Sequence, residues 1–315
     1  MPDRSIRVRV PGTSANLGAG FDTLGLACNL YNELVLTLTE RPGVTFSVEG
    51  EGAGRIPEDD RNIVWRSIRL LLERSHHDKE YQGAIIRMKN DVPLSRGLGS
   101  SAAAIVAGLK AANVIVGNRY NRRELLQLAT EIEGHPDNVA PAIFGGITVS
   151  TMKGRHVESF SFLPKIRLRF VVAVPDFFLS TKKARDVLPE MVPRTDAIFN
   201  IGRASMLVAA LMKGSSYFLR RSFDDALHQP YRAELIPGMY DVFHAARLAG
   251  ALGTVLSGAG PCLISFVEAY DNCEEAVGNA MREAFAQHGV QAEIKYLGLD
   301  TRGAHIINER RDSRD

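Results

Sequence analysis

The 315-residue chain exceeds the usual size of one domain, and its 45% apolar and 23% charged residues suit a globular protein of two ordinary domains. Its 38 lysines and arginines nearly cancel its 36 aspartates and glutamates, which argues against nucleic acid or anionic membrane as partners and makes any basic site local. Cys28, Cys262 and Cys273 are odd in number, far apart and without metal-ligand spacing, and MPDRSIRVRV has no apolar signal core; the expectation is a cytoplasmic chain without disulfides, zinc or export.

In chain order, alternation at Ile6, Val8 and Val10, then in LVLTLTE (34–40) and VTFSVEG (44–50), predicts strands, the last two turned into a hairpin by Pro42-Gly43. Val64, Ile68, Leu71 and Leu72 have helical spacing, and AIIRMKNDV (84–92) reads as a strand entering a glycine-rich loop. A long apolar helix follows over 100–117, interrupted by Lys110 and Asn113 and so no membrane span. Asn121 as cap, Glu124 at capping-box spacing and Gly134 as stop predict a helix over 122–133. Residues 145–152 return to a strand and KIRLRFVVAVP (165–175) opens a new sheet, which divides the chain near 160 into an N-terminal domain (1–160) and a C-terminal domain (161–315). The second half reads as α+β: helices over about 182–250, a strand-turn-strand in TVLSGAGPCLISFVE, a helix near 272–287 and a final pair of strands. The charged tail ERRDSRD is expected to be a solvated end.

The loop carries the chemistry. In PLSRGLGSSAAA (93–104) a glycine-rich turn meets a helix N-terminus, where free N–H groups and the helix dipole favour an anion such as phosphate. A tight strand-to-helix connection with a serine cap would use the same residue types. The stretch has neither the Gly-Lys-Ser/Thr ending of a Walker loop nor the Gly-x-Gly-x-x-Gly of a dinucleotide fold.

That string resembles the Pro-x-x-x-Gly-Leu-Gly-Ser-Ser-Ala motif of the GHMP kinases, PGTSANLGAGFDTLGLA resembles their first motif, and SGAGPCLISF (257–266) their third. The resemblance spans residue 4 to about 305 and implies an α+β, two-domain fold: an N-terminal α/β domain with the phosphate loop and a C-terminal ferredoxin-like domain. It also implies ATP and Mg²⁺ in a cleft between them. For ATP it implicates Pro93, Leu94, Ser95, Arg96, Gly97 and Leu98, then Gly99, Ser100, Ser101, Ala102 and Ala103, with Gly258 and Gly260 beside them. Asn62 is implied at the adenine, although it would also serve as a helix cap. For the metal the resemblance favours Glu133 over Glu131, and Ser101 over Ser100.

SANLGAGFD, RNIVW, EGHPDNVAPAIFGG, STKKAR and PYRAELIPG are similar to the members of that family acting on L-homoserine. An amino-acid substrate needs a cation for its carboxylate and an acceptor for its ammonium. The resemblance offers Arg185 and Arg232 for the carboxylate and Asp22 for the ammonium, with Asn16 and Thr181 as further contacts. On composition alone these arginines read equally as solvated side chains, and Asn16 and Asp22 as turn residues. His135, Asp137 and Asn138 are implied around the substrate, Asp137 being also a plausible helix cap. Several GHMP kinases carry an aspartate base where Asn138 stands, and an amide takes no proton. Direct in-line transfer is therefore expected, with Asn138 and Asn16 orienting the hydroxyl and Asp137 the alternative base. Gly134 runs straight into His135, where many of these relatives carry an insertion. Other GHMP small-molecule kinases, acting on mevalonate, sugars or shikimate, and a non-catalytic metabolite sensor are the competing readings. A homodimer is expected from the prevalence of two-fold assemblies.

Overall fold

A computed structural model describes residues 5–307, and the tail ERRDSRD lies outside them. The first sheet holds β1 (Ser5–Ala15), β2 (Leu24–Thr39), β3 (Gly43–Gly50), β4 (Gly83–Asn90), β5 (Ile147–Lys153) and β6 (His156–Phe162), in the path β1-β2-β4-β3 with β5 and β6 branching from β2. β2 is long enough to serve two neighbours on one side: Leu24–Leu26 pair with β5, and Asn32–Thr39 with β4. Four helices pack with this sheet: α1 (Ile63–Arg74), α2 (Ser100–Ile115), α3 (Arg122–Glu133) and α4 (Pro136–Phe144). α3 begins and ends where its signals place it, with both reciprocal bonds of the Asn121–Glu124 capping box formed and Gly134 left-handed at its end.

The expected hairpin at Pro42-Gly43 does not form. β4 inserts between its two strands, antiparallel to β2 and parallel to β3. The short connection arches over the start of β4 at Gly83, where a Cβ would lie 2.2 Å from the Arg41 carbonyl oxygen and 2.4 Å from that of Gly43. A glycine more than forty positions downstream thus admits the crossing, and no local turn signal reveals it.

β7 (Leu168–Pro175) opens the second sheet, followed by α5 (Thr181–Asp186), α6 (Arg194–Lys213), α7 (Ser216–Leu219), α8 (Gln229–Arg232) and α9 (Met239–Leu248). Then come β8 (Gly253–Leu256), β9 (Leu263–Glu268), α10 (Glu274–Gln287) and β10 (Ala292–Gly298), giving an antiparallel sheet in the order β10-β7-β9-β8. This β-α-β-β-α-β succession is ferredoxin-like. The final two strands are not a pair: β10 completes the second sheet, whereas β11 (His305–Ile306) returns to β1. The division near residue 160 falls inside β6, whose Phe162 still pairs with Ile147. No helix among the described residues is long and apolar enough to cross a membrane.

One core lies between the first sheet and its helices, where Val8, Val10, Leu34 and Leu36 meet Ile68, Ile105 and Leu109. A second is shared by both halves: Leu24, Leu26, Val92 and Leu98 pack with Phe170, Ile264 and Phe266. Its burial of aromatic and aliphatic surface from both sides holds the sheets together. The motif loops converge along its edge.

Candidate active site

Between β4 and α2 the backbone enters the left-handed region three times at alternate residues, Ser95 (φ 56°), Gly97 (φ 84°) and Gly99 (φ 68°). Glycine is required at the last two for contact as well as conformation: a Cβ on Gly97 would stand 2.1 Å from the Ser257 carbonyl oxygen, and one on Gly99 would stand 1.9 Å from Thr13 Oγ1. The loop's carbonyls face the protein. Cys262 N–H donates to Arg96 O (3.1 Å), the Ser257 hydroxyl to Gly97 O (2.6 Å) and Thr13 N–H to Leu98 O (3.0 Å). The N–H groups from Arg96 to Ser101 donate to no acceptor among the described residues. They surround the start of α2, whose cap, Gly99, has no side chain to satisfy them. This is an anion cradle, and the serine-cap alternative is not what forms. The alanine run explains itself here too, since Ala102, Ala103, Ala107 and Ala111 are buried in the first core and let α2 pack closely.

The loop opens into a cleft of about 390 Å³, within the range of small-molecule sites, and both halves line it. Leu94, Ser95, Arg96, Gly97, Gly99, Ser100 and Ser101 border it, as do Gly258 and Gly260. Pro93, Leu98, Ala102 and Ala103 do not line it: their side chains are buried beneath the loop and support its backbone. Asn62 lines the cleft but caps α1, accepting from Val64 N–H (2.9 Å) and donating to Pro57 O (2.6 Å), so the cap alternative describes its bonds. Arg55 and Arg61 also border the cleft and were not singled out: Arg55 belongs to none of the quoted segments, and Arg61 opens RNIVW, where the expectation fell on Asn62.

Beside the loop, the start of α4 and its cap bring His135, Asp137 and Asn138 to the cleft. Thr13 Oγ1 donates to Asn138 Oδ1 (2.8 Å), which commits the amide's oxygen and leaves its NH₂ to the cleft. Asp137 Oδ1 is 2.5 Å from His135 Nδ1. Burial opposes charge on His135, but the hydrogen bond and charge of Asp137, joined by Glu133, outweigh it and raise the imidazole above its ordinary range. Asn16 lines the cleft and also has a structural part. One amide proton goes to Gly258 O (2.9 Å) and its oxygen accepts from Asp22 N–H (3.0 Å), so it ties its own loop to the 257–260 turn.

Asp22 and Arg185 meet each other in a two-pronged pair at 2.9 and 3.2 Å. Arg232 is different: 2% exposed, it donates from Nε to Ala184 O (2.9 Å) and from Nη1 to Gly258 O (3.2 Å), and it has no carboxylate within ion-pair distance among the described residues. Burial, then repulsion from Arg185, pulls this guanidinium down to about 10. Its Nη2 makes no hydrogen bond among the described residues, and the residue lines the cleft, as does Thr181 at the start of α5.

Glu133, at the end of α3, accepts from Ser101 Oγ (2.9 Å), whereas Glu131 is taken by Arg74 (2.9 Å). Burial raises the Glu133 carboxyl above the carboxylate range, and no Lys or Arg among the described residues pairs with it. A carboxylate and a neutral hydroxyl, both hard oxygen donors, suit a Mg²⁺ ion that keeps its waters and takes further ligands from phosphate. No group of three or more His, Cys, Asp or Glu that could hold a metal ion by itself gathers among the described residues, at this site included.

Comparisons with known proteins fit this geometry. The models of the GHMP kinases N terminal domain and the GHMP kinases C terminal match residues 62–146 and 206–287, one in each half. The fold and the glycine-lined cleft thus define an ATP-dependent kinase with an alcohol acceptor, of the GHMP class. Homoserine kinases from Carboxydothermus hydrogenoformans and Moorella thermoacetica are each 45% identical to the chain, covering 96% and 95% of it and 97% and 99% of the relatives. The crystal structure of homoserine kinase from Cytophaga hutchinsonii superposes with a TM-score of 0.88 at 33% identity, over 98% of both chains. The chain belongs to the homoserine kinase family of the GHMP kinases.

Proposed function

We propose that the chain transfers the γ-phosphoryl group of ATP to the side-chain hydroxyl of L-homoserine, giving O-phospho-L-homoserine and ADP on the way to threonine. What carries this assignment is one juxtaposition: unpaired loop amides at the mouth of a buried helix, and in the same cleft a buried guanidinium that no carboxylate among the described residues pairs. The first suits a polyphosphate and the second the carboxylate of an amino acid. Asp22, now satisfied by Arg185, would take the substrate's ammonium, and Arg185 would turn to the carboxylate beside Arg232.

The hydroxyl oxygen attacks phosphorus as the bond to the β-phosphate oxygen breaks. The transition state is loose, so alignment and charge do most of the work. Asn138, its oxygen held by Thr13, offers an N–H donor with which to orient the hydroxyl or a phosphoryl oxygen. The hydroxyl proton leaves late, to the transferred group. Glu133 and Ser101 would hold Mg²⁺, which when bound neutralises charge on the polyphosphate.

The test is turnover of L-homoserine, D-homoserine, mevalonate and galactose with Mg-ATP, in the wild type and in Arg232→Ala. L-Homoserine alone is expected to turn over efficiently, and Arg232→Ala to weaken its binding while ATP binding is kept. Equal use of mevalonate or a sugar would overturn the assignment.

A further inference from the structure

His228 sits behind Arg232 and belongs to none of the motifs. It is 0% exposed, stacks on the Phe21 ring at 5.1 Å, and touches polar groups at both ring nitrogens. Nε2 lies 2.8 Å from Gly18 O and 3.6 Å from Asp225 Oδ2, while Nδ1 lies 3.3 Å from Arg232 Nη1. The partners dictate the tautomer. A carbonyl cannot donate and a guanidinium cannot accept, so the proton must be on Nε2 and Nδ1 must accept from Arg232. A second proton would aim an N–H at the guanidinium in a fully buried site, and burial, ahead of every other influence, lowers the pKa of the ring and favours its neutral form.

Asp225 anchors the arrangement. Its Oδ2 accepts from the backbone N–H groups of His228 (2.9 Å) and Gln229 (2.6 Å), and its Oδ1 from Asn200, which also donates to Ala19 O. One imidazole therefore joins the loop that carries Asp22 to the arginine across the substrate end of the cleft.

We propose that His228 is a positioning residue: through Nδ1 it fixes the Arg232 guanidinium with Nη2 free for the substrate carboxylate, and through Nε2 it holds the 16–22 loop against that same end. The inference rests on the assignment of Arg232 to the carboxylate made above. It predicts that His228 governs affinity for the amino-acid substrate and leaves affinity for ATP alone.

Two substitutions separate its functions. Asparagine places an oxygen near the Nδ1 position and can still accept from Arg232, whereas glutamine places its amide near Nε2 and can serve only Gly18. His228→Gln is expected to raise KM for L-homoserine about tenfold with KM for ATP within twofold of wild type, and His228→Asn to raise it clearly less. Simple filling of the core predicts the opposite order, because asparagine leaves the larger hole. In an Arg232→Ala background His228→Gln should add nothing further. Equal effects of the two substitutions, or full additivity with Arg232→Ala, overturn the inference. Should neither variant fold, ¹⁵N NMR of the wild-type imidazole decides: a neutral Nε2–H ring across the neutral pH range supports it, and an Nδ1–H ring sinks it. Were Arg232→Ala itself to leave homoserine binding intact, the carboxylate assignment would fall instead.

Discussion

Asn138 enters the cleft with its amide oxygen already engaged by Thr13, and that single bond determines what the residue can offer. An amide so held is a donor, and loss of one donor to developing charge in such a site reduces turnover by about 10²–10³-fold. Asn138→Ala should therefore lower kcat by that order in steady-state assays, while Asp137→Asn, whose carboxylate is occupied by His135, should lower it less. An Asp137→Asn enzyme that binds homoserine normally and is dead would instead identify a conventional base. Glu133 gives a prediction of opposite sign for stability and activity. Its folded carboxyl is raised, chiefly by burial, so the stability linked to it is present below the usual carboxylate range and is lost as pH rises through the folded value. Without metal at neutral pH, Glu133→Gln should raise Tm by about 2 °C, the shift expected of roughly 1 kcal/mol in a large domain. That gain should vanish as the wild type is acidified, and Mg²⁺-dependent turnover should be lost. Many residues inside a motif were legible at this scale; the bond of Thr13, although it sits in the first motif, and that of His228, outside every motif, were not, because Asn138 and Gly18 lie 125 and 210 positions away in the chain.

At the scale of elements, the phosphate loop depends on glycines that touch other segments. Gly99→Ala would drive a methyl into Thr13 Oγ1 as well as straining a left-handed residue. Binding titrations should show ATP affinity reduced about tenfold or more, by analogy with the magnitude of strain plus displaced backbone. Gly154→Ala is the control, left-handed (φ 62°) with open space around it, and should leave ATP affinity unchanged. Helices whose ends are written locally were readable: Asn121, Glu124 and Gly134 delimit α3 without help from the rest of the chain. β6 was not foreseen, since HVESFSF has one buried side chain, Val157, and its alternation is weak.

For the whole molecule, closure of the chain onto its own beginning is the feature that ties both halves together. Asp300 makes the turn after β10, accepting from Arg302 and Gly303 N–H through Oδ1 and from the Tyr31 hydroxyl through Oδ2 (3.0 Å). β11 then pairs with β1. Asp300→Asn would turn an amide NH₂, a donor, towards groups that now donate to the carboxylate, and would replace a charged acceptor by a neutral one, a loss of about 1–3 kcal/mol by urea unfolding. Burial, followed by Asp300, pushes Tyr31 up to about 12, so removing the charge should let the phenol ionise at lower pH, read by phenolate absorbance. What sequence alone determined was whatever is encoded between near neighbours: apolar periods, caps, and a phosphate loop whose glycines and serines are contiguous. Strand order, the crossing over Gly83, the return of β11 and the trio of Gly18, His228 and Arg232 were decided only by tertiary structure. Their partners meet through burial of a shared core, and burial carries no record in the chain of which distant residues it will bring together.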